Sequence, residues 1–535
     1  VLDWGLSRSE SLNKKPYSHD VTFRKLDAFS GYAQGNSFDI ETPELIASPE
    51  NVKDFADQYY FQNGGSRTYK ASEVESGVYG NWEIPYKLGE KISGYIKTGA
   101  KYRVKDRYRE NFRFHARLDG SGVFDFLDVY PDYTLTTAGN VGKISLLNFL
   151  DQGFTQKEFL NGDYKYLKVD NVLDRELLSN LYDDFLKDYY DSIPSAAKDN
   201  YTTHESVFAL YLMSEIKVGK FITFTPGVRY EKTDIEYEAY IAEEFPASES
   251  TPIDVPFRDT TAVNSYHHFL PQIHLRIKPN QWFDVRLAYT KTLSRPDYNQ
   301  LAPKKIINLQ SETVSLGNTS LKPALSSNYD LIFKFYKPNY GLLTLGAFYK
   351  DIQDFIWDKQ ALVLKGTSTD PSVLEIPQSA IGFRVNYPLN NPNRSNIKGF
   401  EIDLQSNLNF LPIKGFVLNM NLTLMDSKTR YPEVLIVRAL NPDYGVKPGV
   451  PRVILVNHDT AYVDRLIAQP GVLANVGLGY DNKKIGLSVR LSYNFQDDIL
   501  TREQRRPDGA DREGTKSFNR WDLQINQRIS KRITL

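Results

Sequence analysis

The sequence lacks cysteine altogether. Disulfide bonds, thiolate metal sites and cysteine nucleophiles are therefore excluded. It also lacks an excess of charge of either sign, because 65 lysines and arginines are balanced by 66 aspartates and glutamates, leaving a formal net charge of −1. This balance provides no overall positive field for binding nucleic acid, so no nucleic-acid partner is expected.

Long hydrophobic runs are missing as well. No segment approaches the roughly 18 consecutive apolar residues that a transmembrane helix requires. Transmembrane β-barrels escape this test, because their lipid-facing residues occupy only every second position of a strand. The chain begins at Val1 without a start methionine or a signal peptide, and we expect it to be a fragment that lacks its natural N-terminus.

Aromatic residues are abundant, with 35 tyrosines and 30 phenylalanines, and many of them belong to a regular alternation. After Trp282, the residues Phe283 and Val285 fall on one face of a strand, whereas Asp284 and Arg286 fall on the other. The same alternation recurs at residues 268–277, 416–424, 485–496 and 521–529. Each segment is predicted to be a strand with one apolar face and one polar face.

The connections between these strands alternate in length. Short turns are predicted near residues 88–91, 218–220, 278–280, 337–340, 411–415, 481–484 and 530–531. Long polar segments separate them, at about residues 11–80, 111–204, 236–264, 294–326, 352–397, 427–470 and 497–517. Outer-membrane barrels combine tight periplasmic turns with long extracellular loops in this way. The predicted fold class is therefore an all-β, antiparallel transmembrane β-barrel with about 15 strands present, and its odd strand count indicates a chain cut at both ends.

One short helix is predicted within the long loop at residues 111–204. The apolar residues recur at four-residue spacing, and Pro194 follows the segment. They are Leu173, Leu177, Leu181, Phe185 and Tyr189. We expect this helix to pack on the rim of the barrel. The alternative is a lid over a ligand or a partner.

Several segments together resemble one known family. TLSRPDYNQLAP at residues 292–303 is followed by GNTSLKPALSSNYDL at residues 317–331 and FYKDIQDFI at residues 348–356. Further matching segments are GYIKTGAKYR at residues 94–103, PGVRYEKT at residues 226–233 and IKGFEIDLQ at residues 397–405. In this order they resemble the C-terminal barrel region of TonB-dependent outer-membrane receptors, in the form found in Bacteroidota.

The resemblance implies a fragment of a 22-stranded barrel that encloses a plug domain. Residues 1–535 would form one partial barrel, approximately strands 7 to 21, and the plug domain and the first strands would be absent from this chain. The implied function is energised, TonB-dependent uptake of a scarce solute, such as a glycan or a metal chelate, across the Gram-negative outer membrane. The alternative is a non-energised outer-membrane barrel that acts as a surface adhesin or binding protein.

The resemblance also implies partners. The TonB energy-transducing complex would act through the missing plug, and outer-membrane lipid would surround the barrel. A small-molecule or oligomeric substrate is expected, and a surface lipoprotein partner is left open. No cofactor is expected. The sequence contains no nucleophile elbow, no zinc-binding HExxH motif and no conspicuous pair of carboxylates, so no enzymatic activity is expected.

Five polar residues on inward faces are the candidates for ligand contact. They are His268, Arg276, Asp284, Arg286 and Arg490. Docking of the plug is the alternative role for these groups. A metal site is not predicted, because His268 and His274 share a strand face but lie about 20 Å apart at the rise of a strand.

A second group of residues belongs to the motif of the resemblance. It consists of Ser294, Arg295, Pro296, Tyr298 and Pro303. We expect these residues to be structural. The two prolines lack the backbone N–H that strand pairing needs, and Arg295 is expected to fix the exit of the strand by hydrogen bonding.

Overall fold

A computed structural model of the chain describes most of its residues. The described residues are 1–25, 59–116, 143–150, 173–182, 200–244 and 257–528, without positions 310, 339, 367, 409, 413 and 507–508, together with 126–128, 131, 133, 186 and 191–192.

Strands make up most of this structure. In chain order they are β1 (Leu2–Lys25), β2 (Tyr59–Leu88), β3 (Ile92–Ala116), β4 (Asp191–Ser192), β5 (Tyr201–Val218), β6 (Ile222–Glu244), β7 (Phe257–Ile277), β8 (Phe283–Ser294), β9 (Lys305–Asn308), β10 (Thr313–Leu316), β11 (Ala324–Lys337), β12 (Gly341–Gln353), β13 (Ile356–Leu362), β14 (Arg384–Asn390), β15 (Ser395–Ser406), β16 (Phe416–Leu440), β17 (Val453–Asp464), β18 (Val472–Asn482), β19 (Leu487–Gln496), β20 (Ile499–Arg506), β21 (Gly509–Thr515) and β22 (Phe518–Gln527).

Fourteen of these strands form one continuous antiparallel wall. Its order is β1, β2, β3, β5, β6, β7, β8, β11, β12, β15, β16, β18, β19 and β22, and each strand pairs with the next. Within the described part of the chain, β1 and β22 are not paired with each other. The all-β, antiparallel barrel class predicted from the sequence is confirmed, as part of a barrel.

The two faces of the wall differ in polarity. Along β5, the odd-numbered residues from Tyr201 to Ala209 are buried, whereas Phe208, Leu210 and Leu212 are exposed on the opposite face. Exposed apolar side chains continue around the wall on this outer face, including Phe269, Leu287, Leu345, Phe400, Leu424, Leu478, Leu491 and Leu523. A continuous apolar outer face is what contact with lipid requires.

Six of the seven predicted short connections lie where the alternation predicts them, and the seventh, at residues 530–531, lies outside the described residues. Many strands are longer than predicted. β2 spans 30 residues, and residues 11–25 and 59–80 of the predicted loop belong to the paired ends of β1 and β2. Residues 26–58 of that loop lie outside the described residues. β16 likewise continues to Leu440 and pairs there with β17. These extensions have polar residues on both faces, so the alternation of apolar and polar residues that predicts a strand is missing there. The backbone hydrogen bonds between the strands nevertheless continue through the extensions.

Helices are few and short. They are α1 (Arg175–Asn180), α2 (Tyr298–Leu301) and α3 (Pro371–Leu374), with 3-10 turns at Leu146–Phe149 and Gln378–Ala380. Among the described residues, none of the helices has the length and apolar character needed to cross a membrane. The predicted loop helix is confirmed in α1, and residues 183–185 and 187–190 of that prediction lie outside the described residues. Leu181 and Tyr182 pack beside Phe61 of β2, which places this segment on the rim of the wall.

Two long loops are built into the wall by additional strands. β9 pairs in parallel with the end of β6 at residues 241–244, beyond the last pairing of β5 with β6. β10 pairs with β9 and, in parallel, with β14, which in turn pairs with β13. The loop between β8 and β11 and the loop between β12 and β15 therefore share one small sheet, which we call the loop sheet. Its apolar core includes Ile307, Val314, Leu316, Val363 and Val385.

Candidate functional site

The motif residues lie against the inner face of the wall. β8 ends at Ser294, and the next residue, Arg295, donates hydrogen bonds from Nη2 to the carboxylate of Glu231 and, over 3.2 Å, to Oγ1 of Thr233. Arg229 lies 3.0 Å from the same carboxylate. Because the Glu231 side chain is only 10% exposed, two guanidinium groups neutralise a largely buried charge. The loop after β8 is thereby fixed to β6.

The rest of the motif forms a compact turn on this surface. Pro296 is buried, and Asp297 caps α2 in a capping box with Gln300. The ring of Tyr298 lies 5.3 Å from the Arg107 guanidinium of β3. Pro303 then separates α2 from β9. The motif thus connects the end of β8 with β3, β6 and the loop sheet.

His268 lies beside the Arg295 contact. It is directly opposite Glu231 in the pairing of β6 with β7. The Nε2 atom of His268 is buried and has no hydrogen-bond partner among the described residues, and the same holds for the hydroxyl groups of Thr203 and Tyr237. Buried polar atoms are seldom left unpaired. This part of the inner face therefore presents groups that suit a further polar partner.

Three of the predicted candidates form one cluster near a short turn. Arg276 Nη2 donates to Asp284 Oδ2 over 2.8 Å, and Arg286 Nε donates to Asp284 Oδ1 over 3.2 Å. The Asp284 side chain is only 1% exposed. The two arginines are cross-strand neighbours, so the shared carboxylate also separates two like charges.

The other two candidates are not part of that cluster. His268 lies eight residues from Arg276 on the same strand, about 26 Å away at the rise of a strand. Arg490 lies on β19 and donates from Nη2 to Asp481 Oδ2 over 2.7 Å. The structure therefore divides the five candidates among three places on the inner face.

A further set of charges lies on β2, β3 and β5. Arg103 Nη2 lies 2.8 Å from Glu205 Oε1, and the Glu205 side chain is 2% exposed. Lys105 Nζ lies 3.0 Å from Glu73 and 3.3 Å from Glu75. These pairs form a ladder across three adjacent strands on the inner face.

The acidic side of this ladder was not predicted from the sequence. Residues 11–80 were predicted to form a loop, so Glu73 and Glu75 could not be assigned to the inner or the outer face of a strand. The available signal was on β3, where basic residues occupy nearly every second position. They are Lys97, Lys101, Arg103, Lys105, Arg107 and Arg109. A strand with such a face needs acidic neighbours or an anionic partner.

A polar cleft lies at the outer end of β6 and β7, beside the loop sheet. Its volume is about 460 Å³, and its lining includes Arg258, Lys305, Glu375 and Ile376. Lys305 Nζ lies 2.6 Å from Glu375 Oε2, and this hydrogen bond lowers the pKa of the Glu375 carboxyl below its usual range. The volume is within the range of small-molecule sites.

Comparison with known proteins decides the family. The family model for the TonB dependent receptor-like β-barrel matches residues 4–535 of the chain. The chain belongs to this family. TonB-dependent receptors are transport proteins of the Gram-negative outer membrane, so this TonB-dependent receptor chain is an outer-membrane protein and not an enzyme.

Several solved structures of receptors are similar to the chain at low sequence identity. The ferric-catecholate import receptor Fiu from E. coli K12 is 12% identical, with a TM-score of 0.48, over 89% of this chain and 51% of the Fiu chain. The siderophore receptor PiuA from Acinetobacter baumannii is 12% identical, with a TM-score of 0.45, over 89% of this chain and 58% of the PiuA chain. The ferric citrate transporter FecA is 11% identical, with a TM-score of 0.45, over 89% of this chain and 53% of the FecA chain.

The TonB-dependent receptor chain thus spans little more than half the length of these solved receptors. No curated protein sequence matches it.

Proposed function

We propose that this chain is the barrel wall of a receptor that takes up a scarce solute across the outer membrane at the expense of TonB-transmitted energy. The solute would be a glycan, a metal chelate or a similar molecule too large for simple pores. The proposal includes a Bacteroidota-type receptor architecture, in which the chain supplies approximately strands 7 to 21 and a plug domain supplies the contact with TonB.

The observation that carries this proposal is the attachment of a long loop to the charged inner face. Arg295 joins the loop after β8 to Glu231 of β6, and the same loop continues into the loop sheet at the outer end. A passive surface-attachment protein needs exposed loops but has no need for a loop fixed inside its wall. A transporter needs an outer capture surface that is physically connected to its inner passage.

The inner face supports the same proposal. Three of its buried polar atoms have no hydrogen-bond partner among the described residues and suit a polar plug or a passing solute. They are His268 Nε2, Thr203 Oγ1 and Tyr237 OH. The ion-pair ladder of β2, β3 and β5 neutralises the charges of Arg103, Lys105, Glu73, Glu75 and Glu205. A plug can then move against this face without exposing many unpaired buried charges.

The test has two steps. A strain that lacks the receptor is first grown on glycans and metal chelates as limiting nutrients, to find the solute whose use depends on the receptor. Entry of the labelled solute is then measured in cells with and without TonB. Entry that requires both proteins supports the proposal. Retention of the solute at the cell surface, with no entry and no effect of TonB, would instead identify a non-energised binding protein or adhesin.

A further inference from the structure

The short-turn end of the wall has a composition unlike the rest of the chain. In the described part of the chain, six connections form this end, and four of them are counted with the adjoining strand residues. They span residues 87–91, 217–221, 278–282, 337–340, 407–415 and 481–486. They contain nine lysines and only two acidic residues, Glu90 and Asp481, which gives a net charge of +7. Since the whole chain has a net charge of −1, all its other residues together have −8. We call these six connections the lysine rim.

Most lysines of the rim have no acidic partner. Lys87, Lys91, Lys220, Lys414, Lys483 and Lys484 are exposed and form no salt bridge with any residue that the structure describes. Lys278 and Lys337 instead lie over aromatic rings, 5.6 Å from the centroid of Tyr336 and 5.2 Å from that of Tyr340. The ammonium groups of the rim are therefore available to an external anion.

Each of the six connections also exposes a large apolar side chain. These side chains are Leu88, Phe221, Trp282, Tyr340, Phe410 and Ile485, and each is more than half exposed. Two of them join neighbouring connections, because the rings of Tyr340 and Phe410 stack with centroids 5.6 Å apart. An apolar side chain and a lysine in every connection form a repeating pattern around the edge of the wall.

This pattern matches the boundary of a lipid layer. Aromatic and large apolar side chains settle at the level of the headgroups, and lysines extend their ammonium groups outward from the same level. A surface rich in lysine is attracted to anionic headgroups. A soluble acidic protein would need no apolar side chain in every connection, so the combination favours lipid.

We propose that the lysine rim binds the phosphate groups of anionic phospholipids in the periplasmic leaflet of the outer membrane. The short turns of an outer-membrane barrel lie on the periplasmic side, which is the phospholipid side. Six connections with lysine and apolar side chains hold a ring of such lipids around the edge of the wall. The ring fixes the depth and tilt of the barrel in the membrane.

The test measures lipid retention by the full-length receptor. The receptor is purified in neutral detergent, equilibrated with equal amounts of phosphatidylglycerol and phosphatidylcholine, and examined by native mass spectrometry. The rim variant replaces Lys87, Lys91, Lys220, Lys414, Lys483 and Lys484 by glutamine. The control variant replaces six exposed lysines toward the long-loop end by glutamine, namely Lys14, Lys15, Lys322, Lys365, Lys428 and Lys516.

We expect the unaltered receptor and the control variant to retain phosphatidylglycerol in preference to phosphatidylcholine. The rim variant should lose this preference by about ten-fold. Equal retention of phosphatidylglycerol by the rim and control variants would overturn the proposal, as would an unaltered receptor with no preference.

A second measurement uses only the unaltered receptor and tests the proposal even if the rim variant fails to fold. The unaltered receptor is titrated with phosphatidylglycerol at low and high sodium chloride. Lysine-based binding weakens as salt screens the charges, whereas apolar contact does not. A preference for phosphatidylglycerol that is unchanged by salt would contradict the role of the lysines.

Discussion

Arg295 and Glu231 form an ion pair on the inner face of the wall, although one residue follows β8 and the other lies within β6. The pair brings the start of a long loop across β7 to the inner surface. A loop that would otherwise leave the barrel is therefore part of its lining. The position of the loop after β8 therefore depends on β6, a strand with which β8 is not paired.

The first prediction concerns this ion pair. Replacing Arg295 by Gln leaves Glu231 with Arg229 alone and should destabilise the attachment of the loop by about 1–3 kcal/mol. Hydrogen exchange of residues 297–322 should become faster, while exchange of β11 and β12 stays the same. The double variant R295Q/E231Q should exchange more slowly than R295Q, because no buried carboxylate is left with too few partners. Lys398→Gln, at an exposed pair with Asp426, is the matched control. Unchanged exchange in R295Q would refute the attachment.

The second prediction concerns the cluster around Asp284. Asp284→Ala leaves Arg276 and Arg286 as adjacent like charges and should lower the free energy of unfolding by about 2–4 kcal/mol. Asp284→Asn keeps a hydrogen-bond acceptor for the arginines and should lower the free energy of unfolding by a smaller amount. The measurement is the temperature at which the folded, fast-migrating band disappears on a gel. Asp522→Asn is the control, since Asp522 also pairs with an arginine two residues away but is 50% exposed. An alanine variant as stable as this control would show that the cluster has no structural role.

The third prediction separates the two faces of β8. Leu287 is exposed on the outer face, and Ala288 is its neighbour on the inner face. Leu287→Arg should destabilise the barrel by about 2–4 kcal/mol, because a guanidinium would enter the lipid layer. Ala288→Arg adds the same group beside Asp330, its cross-strand neighbour, and should cost far less. Unfolding in lipid vesicles with urea measures both variants. If both variants were destabilised equally, the assignment of the outer and inner faces of β8 would be wrong.

The fourth prediction concerns pH at the outer cleft. The hydrogen bond from Lys305 lowers the pKa of Glu375 in the folded protein, so its stabilising effect is present above the ordinary glutamate pKa and is lost as pH falls through the folded value. Acidification to about pH 3 should therefore lower the protection of the β9 amides, measured as their exchange relative to the intrinsic exchange rate at the same pH, given an ordinary glutamate pKa of about 4.3. Glu375→Gln should show the lower protection already at pH 7 and little further change in acid. The same pH dependence in both proteins would rule out this pair as its cause.

Much of the fold could be predicted from the sequence, because alternation and loop length are local signals. Phe283 to Arg286 show the two faces of β8 within four residues, and the six predicted short turns that lie within the described residues are found where they are predicted. The loop sheet could not be predicted in this way. β9 and β10 span only four residues each, and their partners β6 and β14 lie far away in the chain. Short strands with distant partners leave no periodic signal.

The candidate site shows the same limit. Arg295 follows β8 and donates a hydrogen bond to Glu231, a partner that could not be named from the sequence. The alternation predicted that Arg276 and Asp284 lie on inward faces. It could not predict that they contact each other, because this contact depends on the register of β7 with β8. Alternation gives the face of a residue, and only strand register gives its neighbour.

The loop sheet has a consequence for how this protein tolerates changes in length. β9 occupies the edge of β6 that β5 leaves free, and β10 joins it to β14 in the other loop. An insertion or deletion inside β9, β10 or β14 would shift a pairing and turn core residues such as Val314 and Val385 outward. Residues 309–312 lie between β9 and β10, and residues 364–370 lie between β13 and α3. We therefore expect natural variants and inserted epitope tags to be accepted at these two connections and rejected elsewhere in the loop sheet.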